Sequence, residues 1–218
     1  MKKIQWKSLV PHLIAIAVFI IVALVYCKPA LEGQVLKQGD VTQWKAMAQN
    51  SMVYKDKHGH FPLWTNGMFS GMPNFQITGI GSNPVSIMVV DSILQLELTK
   101  PMGFFFLACI CFYFLTQVLR INPYVGLFGA LAYAYATYNA IIIEVGHDTK
   151  MHAIGYLPAF LGSLILLYEK KYLWGTALTA LFTGLLIAAN HLQITYYGTL
   201  IAVIMSAGFG IRWIKEKQ

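Results

Sequence analysis

Leu9-Val10-Pro11-His12-Leu13-Ile14-Ala15-Ile16-Ala17-Val18-Phe19-Ile20-Ile21-Val22-Ala23-Leu24-Val25-Tyr26 contains no aspartate, glutamate, lysine or arginine. A segment in hydrocarbon must satisfy its own backbone, and about 20 apolar residues span the bilayer core, so a run of this kind decides a membrane fold. Five further runs follow, at approximately 102–119, 124–143, 151–168, 172–189 and 196–214. The expected fold is all-α, a polytopic transmembrane helix bundle of about six spans. It forms a single domain over residues 1–218, with a long first outer loop at 27–101 and five spans in 102–218. Composition agrees: 57% of the 218 residues are hydrophobic, 11% are charged and mean hydropathy is +0.57, which excludes an ordinary soluble domain.

The first run is read as an uncleaved span. It exceeds the apolar core of about 7–15 residues found in a signal peptide, and no small-x-small cleavage site follows it. Bulky Tyr26 also stands where a lipoprotein cleavage box before Cys27 would need a small residue. Cys27, Cys109 and Cys111 have no metal-ligand or disulfide spacing. The net charge of +7 comes from short basic clusters between apolar runs, which set orientation in a bilayer, so nucleic acid is excluded as a partner.

Lys2, Lys3 and Lys7 precede the first run, Arg120 follows the second, Lys170 and Lys171 follow the fourth, and Arg212, Lys215 and Lys217 follow the sixth. All fall on one side, the cytoplasmic one by the positive-inside rule, with the N-terminus cytoplasmic. The opposite face collects Asp40, Glu144, His147, Asp148, His191 and Gln193, with His152 just inside the next helix.

The outer loop mixes aromatics, methionines and turn residues and is therefore expected to fold. Val41, Trp44, Met47, Ala48 and Met52 recur at helical spacing opposite Lys45 and Gln49, which predicts an amphipathic helix at the membrane surface. Asp40 is expected to be its N-cap, with Gln43 completing a capping box. Residues 55–60 read as a polar tip, 61–73 as an aromatic folded loop, and 85–98 as a second amphipathic or re-entrant helix.

Two places carry candidate chemistry. A carboxylate such as Asp40 at a water–lipid boundary suits a general base, because partial desolvation raises its proton affinity, although a cap or solvated charge is the plainer reading. The loop Glu144-Val145-Gly146-His147-Asp148-Thr149-Lys150 gathers ionisable groups between two spans, where charges tend to be functional. His147 and Lys150 suit a phosphate, and Glu144, His147 and Asp148 suit a divalent cation, whereas an ordinary polar hairpin with Asp148 capping the next helix remains the alternative. His191 is a weaker interfacial candidate, and His12 reads as structural. Trp64 in the aromatic loop suits a sugar ring or a prenyl chain, or equally an interfacial aromatic belt. No phosphate-binding glycine loop, serine nucleophile elbow or zinc spacing occurs.

Gln38-Gly39-Asp40 with Gln43-Trp44, residues 62–73 (Pro62-Leu63-Trp64-Thr65-Asn66-Gly67-Met68-Phe69-Ser70-Gly71-Met72-Pro73) and Gly146-His147-Asp148-Thr149-Lys150-Met151-His152 resemble the N-terminal part of the bacterial YfhO membrane proteins. The similarity covers essentially the whole chain and is specific in its loops. It implies a GT-C class glycosyltransferase, which moves a sugar from a polyprenyl-phosphate donor to an extracytoplasmic glycan, polymer or protein acceptor. Asp40 matches the acid that serves the reaction in the first outer loop, and is a candidate cation ligand with Glu144 and Asp148 if a divalent cation takes part. The resemblance further implies that His147 and Lys150 face the donor phosphate and that Asp148 orients His147. The substrate-side candidates are His147, Asp148, Lys150, His152, Trp64 and His191, and membrane lipids are the surrounding partners. Proteins of this family carry many more spans, so the chain is expected to be a fragment, a truncated gene product or a half that needs a partner. A lipid-linked substrate transporter or flippase module, or a non-catalytic membrane scaffold, are the alternatives.

Overall fold

The computed structural model describes residues 6–78 and 85–216, apart from the side chain of Lys7. Lys2, Lys3 and Lys217, used above for orientation, lie outside the described residues, as does the Lys7 side chain. The chain is all-α, 77% helical, with one two-residue strand pair. The helices are α1 (Trp6–Tyr26), α2 (Lys28–Leu31), α3 (Gly39–His58), α4 (Phe75–Thr78), α5 (Val85–Leu94), α6 (Met102–Val118), α7 (Pro123–Ala134), α8 (Thr137–Val145), α9 (Asp148–Tyr168), α10 (Tyr172–Ala188) and α11 (Leu192–Lys215). Strands β1 (Trp64–Thr65) and β2 (Met72–Pro73) pair antiparallel.

Every apolar run is helical. Among the described residues three helices, α1, α9 and α11, are long and apolar enough to cross a membrane. The number rises to four if α7 and α8, bent by 41°, count as one span, whereas α6 and α10 have 17 residues each. These helices point to a membrane protein. Exposed apolar side chains fit that environment: Ile21 on α1, Phe128 on α7, Leu173 on α10 and Ile204 on α11 are each more than half exposed.

Helix α9 is the axis of the bundle, packed along α6 on one side and α10 on the other, with α1 and α7 against α6 and α11 at the edge. Small residues permit the close approach that lipid cannot drive by hydrophobicity. A Cβ at Gly162 would stand 3.0 Å from the Phe114 ring and 3.3 Å from the Leu115 Cα, and one at Gly175 would stand 2.6 Å from the Leu167 backbone nitrogen.

The third run is the one that departs from a plain span. Asn122 caps α7 by accepting from the Tyr124 N–H at 3.0 Å, and Pro123 takes the position where no N–H is needed. The helix then stops at Ala134. The freed carbonyls of Tyr133 and Ala134 accept from buried Asn139 Nδ2 at 2.8 and 3.2 Å, so the break leaves these groups satisfied.

The ends of the bundle differ. At one, Glu169 Oε2 joins Arg120 at 3.2 Å and Lys171 at 3.0 Å, tying the α6–α7 turn to the α9–α10 turn. The Lys171 ammonium, with Arg120 behind it, holds the Glu169 carboxyl below the usual range. His12 Nδ1 meets the Tyr113 hydroxyl at 2.8 Å, a structural contact. At the other end α1 and α10 finish, α6, α9 and α11 begin, and the long loop packs.

The long loop is folded, as expected. Residues 55–58 are the last turn of α3, which ends in a left-handed C-cap at Gly59, so the polar tip is helical. Only Ala48 and Ser51 of α3 are buried, and its apolar face turns toward residues 61–78. Ser51 donates to Asn74 Oδ1 at 2.7 Å, Asn74 donates to Thr78 Oγ1 at 2.9 Å, and the Trp44 indole donates to the Ile77 carbonyl. The loop covers this face only in part, since Trp44 and Met47 stay more than a third exposed. Among the described part of 85–98, α5 reaches Leu94 and rests on α10.

Candidate functional site

Asp40 is not the N-cap of α3. That position belongs to Gln38, in extended conformation, whose carbonyl accepts the Thr42 N–H at 3.3 Å. Gln38 is buried, and its side chain is held from both ends: Nε2 donates to the Ile143 carbonyl at 2.5 Å and Oε1 accepts from Lys100 Nζ at 2.6 Å. Asp40 therefore sits in the first turn, where a carboxylate is favoured by the helix dipole, and no capping box forms with Gln43. Its Oδ2 lies 3.0 Å from His147 Nε2.

The pairing depends on Gly146. This residue closes α8 with φ +108, and a Cβ on it would stand 3.0 Å from Gln38 Cβ and 3.1 Å from Val41 Cγ2. The α8–α9 turn thus passes directly over the start of α3 and delivers His147 to Asp40. Asp148 begins α9 as its first helical residue, not as the cap, which is His147. One Asp148 oxygen, Oδ2, pairs with Lys100, and the other is buried with no hydrogen-bond partner among the described residues.

Asp40, Gln43, Trp44 and Met47 from α3, Gln76 and Ile77 from α4, Gly146 to Thr149, and Asn190 enclose a cleft of about 660 Å³. Asn190 Nδ2 closes one side by donating to the Phe75 carbonyl at 3.1 Å. The cleft combines an acid, an imidazole and an apolar wall at the end of the bundle opposite the Arg120–Glu169 turn.

The other candidates are distributed unevenly. Lys150 does not line the cleft: its Nζ stands 5.2 Å above the Tyr138 ring of α8. His191 caps α11, its Nδ1 accepting from the Ile194 N–H at 3.3 Å. His152 is one turn along α9 and faces Asp91 of α5. Trp64 is not brought to this cleft: its indole lies over Gly71 within the β1–β2 loop and is exposed. Glu144 lines a different recess, with Tyr26, Cys27 and Phe105. The Asp40, Glu144 and Asp148 set considered for a cation does not assemble: Glu144 lines that separate recess, Asp40 lies beside His147 and Asp148 beside Lys100. No group of three or more His, Cys, Asp or Glu gathers among the described residues.

Lys100, Asp91, Gln95 and Tyr156 were not singled out from sequence. Lys100 stands alone before Pro101, and Asp91 is the one acid within Val85–Leu94, an otherwise apolar helix, which is the signal that would have found it.

Burial, with the charges of Lys150 and His147 adding to it, lowers the proton affinity of His191. Its neutral Nδ1 accepts a helix N–H, which a protonated ring could not do. Stability is thus complete above the ordinary histidine value of about 6.5 and is lost as pH falls through the lower folded value. Thermal unfolding midpoints followed against pH are expected to drop below about pH 6.5 for the wild type and to drop less for His191→Asn, which retains a cap without a titrating ring.

No family model, curated protein or solved structure matches this chain.

Proposed function

We propose that the chain is a membrane glycosyltransferase of GT-C type, resembling the YfhO proteins, in which Asp40 is the acceptor base. The observation that carries this is the Asp40–His147 pair at 3.0 Å on the wall of a cleft with an apolar side. All six apolar runs would cross the bilayer. Helices α6 and α10, with 17 residues, rise about 26 Å, short of a typical hydrocarbon core by an amount local thinning absorbs. With the Arg120 and Lys171 turns cytoplasmic, the Asp40 cleft faces outward.

The reaction is a single displacement. The acceptor oxygen forms a bond to the anomeric carbon as its proton passes to Asp40. The bond from that carbon to the phosphate oxygen breaks, and the electron pair leaves with the polyprenyl phosphate. His147 holds the carboxylate in place, and His147, with Lys150 swung from Tyr138, offsets the charge that develops on the leaving phosphate. Trp44, Met47 and Ile77 supply an apolar wall for the first prenyl units. Supplied with polyprenyl-phosphate sugar and acceptor, the protein is expected to yield a glycoside and one polyprenyl phosphate per sugar moved. Donor carried across the membrane intact, with no glycoside by mass spectrometry, would replace this activity with transport.

A further inference from the structure

A second cavity of about 340 Å³ opens deeper along α9 and shares Thr149 with the Asp40 cleft. Asp91, His152 and Tyr156 form its polar wall. The Tyr156 hydroxyl donates to Asp91 Oδ1, and Gln95 Nε2 donates to the same oxygen at 2.7 Å. The other oxygen, Oδ2, is 3.8 Å from His152 Nε2, beyond hydrogen-bond reach, and so keeps its capacity to accept. Gln95 Nε2 also lies 3.2 Å from His152 Nε2, and because an amide nitrogen only donates, this contact is a hydrogen bond when that ring nitrogen carries no proton. Lys100 is engaged by Asp148 and Gln38. The cavity therefore presents a carboxylate oxygen with room to accept, beside an apolar wall formed by Ile87 and Met88 one turn earlier on the same face of α5 and by Leu185 of α10.

That combination repels a phosphate. It suits a neutral ring bearing hydroxyls, which donate to the carboxylate while the C–H face of the ring rests on the apolar wall. The volume is at the small end of the roughly 300–1,000 Å³ typical of small-molecule sites. Asp148, beside the first cleft, and His152, inside the second cavity, are about 6 Å apart along the helix axis, a separation that suits a sugar and the phosphate attached to it. We infer that the pocket of Asp91, His152 and Tyr156 is the subsite for the donor's sugar ring, an assignment that rests on the glycosyltransferase proposal.

The test compares binding of polyprenyl phosphate with binding of its glucose, galactose and N-acetylglucosamine derivatives by the full chain in lipid nanodiscs. Wild type is expected to bind at least one sugar-bearing lipid more tightly than the sugar-free one. Asp91→Asn is expected to reduce that preference about 10-fold, equivalent to about 1.4 kcal/mol, with sugar-free binding unchanged. Ala188→Leu fills the cavity from its apolar side without touching the Tyr156–Asp91 bond, and is expected to do the same should Asp91→Asn fail to fold. A preference retained in the folded variants overturns the subsite and leaves glycosyl transfer standing. So does a wild type that binds all these lipids equally. A wild type that binds none of them and forms no glycoside overturns both proposals.

Discussion

Replacing Asp40 with asparagine is expected to lower sugar transfer by about 10²–10⁴-fold, the usual contribution of a general base, with donor affinity little changed. Asparagine has nearly the shape of aspartate, and its carbonyl oxygen can still accept from His147 Nε2, 3.0 Å from Asp40 in the wild type. What it lacks is a site for the acceptor proton. The side chain is about one-third exposed, so little burial is disturbed and the unfolding midpoint should hardly move. That separates a chemical role from a structural one, since loss of transfer with loss of stability would mean that the residue only supports the fold. Asp40→Glu keeps the base but displaces it by one methylene in the first turn of α3, and is expected to fall between the two. Initial rates of glycoside formation at saturating donor measure all three.

The second large effect is expected at Gly146. Its φ of +108 is one that a side-chain-bearing residue rarely adopts, and a Cβ there meets Gln38 Cβ at 3.0 Å and the Val41 side chain at 3.1 Å. The contacting atoms include the Val41 backbone nitrogen at 3.3 Å, which cannot swing aside as the end of a flexible chain can. Gly146→Val is expected to cost about 1–3 kcal/mol in strain, to lift the α8–α9 turn from α3, and to lower transfer because His147 no longer reaches Asp40. Gly208→Ala on α11 is the matched control, because an added Cβ there meets nothing within 4 Å. A thermal midpoint that falls for Gly146→Val and holds or rises for Gly208→Ala would distinguish this close approach from a general intolerance of glycine replacement.

The apolar runs were legible because burial in lipid demands helix and apolarity together, and each run is helical in the structure. The break between α7 and α8 was not, because Tyr135 and Ala136 are themselves compatible with an apolar span, and the break shows only in the use of Asn139 to satisfy Tyr133 and Ala134. The sequence argument gathered Asp40 and His147 on one face through the basic turns, but their contact needed the Gly146 approach, which no local pattern encodes. Capping propensity misplaced the start of α3. Aspartate is a strong cap in isolation, yet Gln38 is fixed by Ile143 and Lys100 from elsewhere in the chain, and that tertiary anchor moves the helix start ahead of Asp40. Asp91 escaped notice for a related reason: its partners His152 and Tyr156 come from α9, far along the sequence. Trp64 belonged to a loop that folds on itself instead of over the cleft.

The proposed glycosyl transfer takes place at the Asp40 end of the bundle. Sealed vesicles of known orientation, loaded with polyprenyl-phosphate sugar and given a membrane-impermeant acceptor on one side only, test it most directly. Glycoside is predicted when the acceptor is on the side of Asp40 and not when it is on the side of Arg120 and Lys171. Glycoside formed only from the Arg120 side, or from neither side while the donor lipid crosses intact, would contradict it.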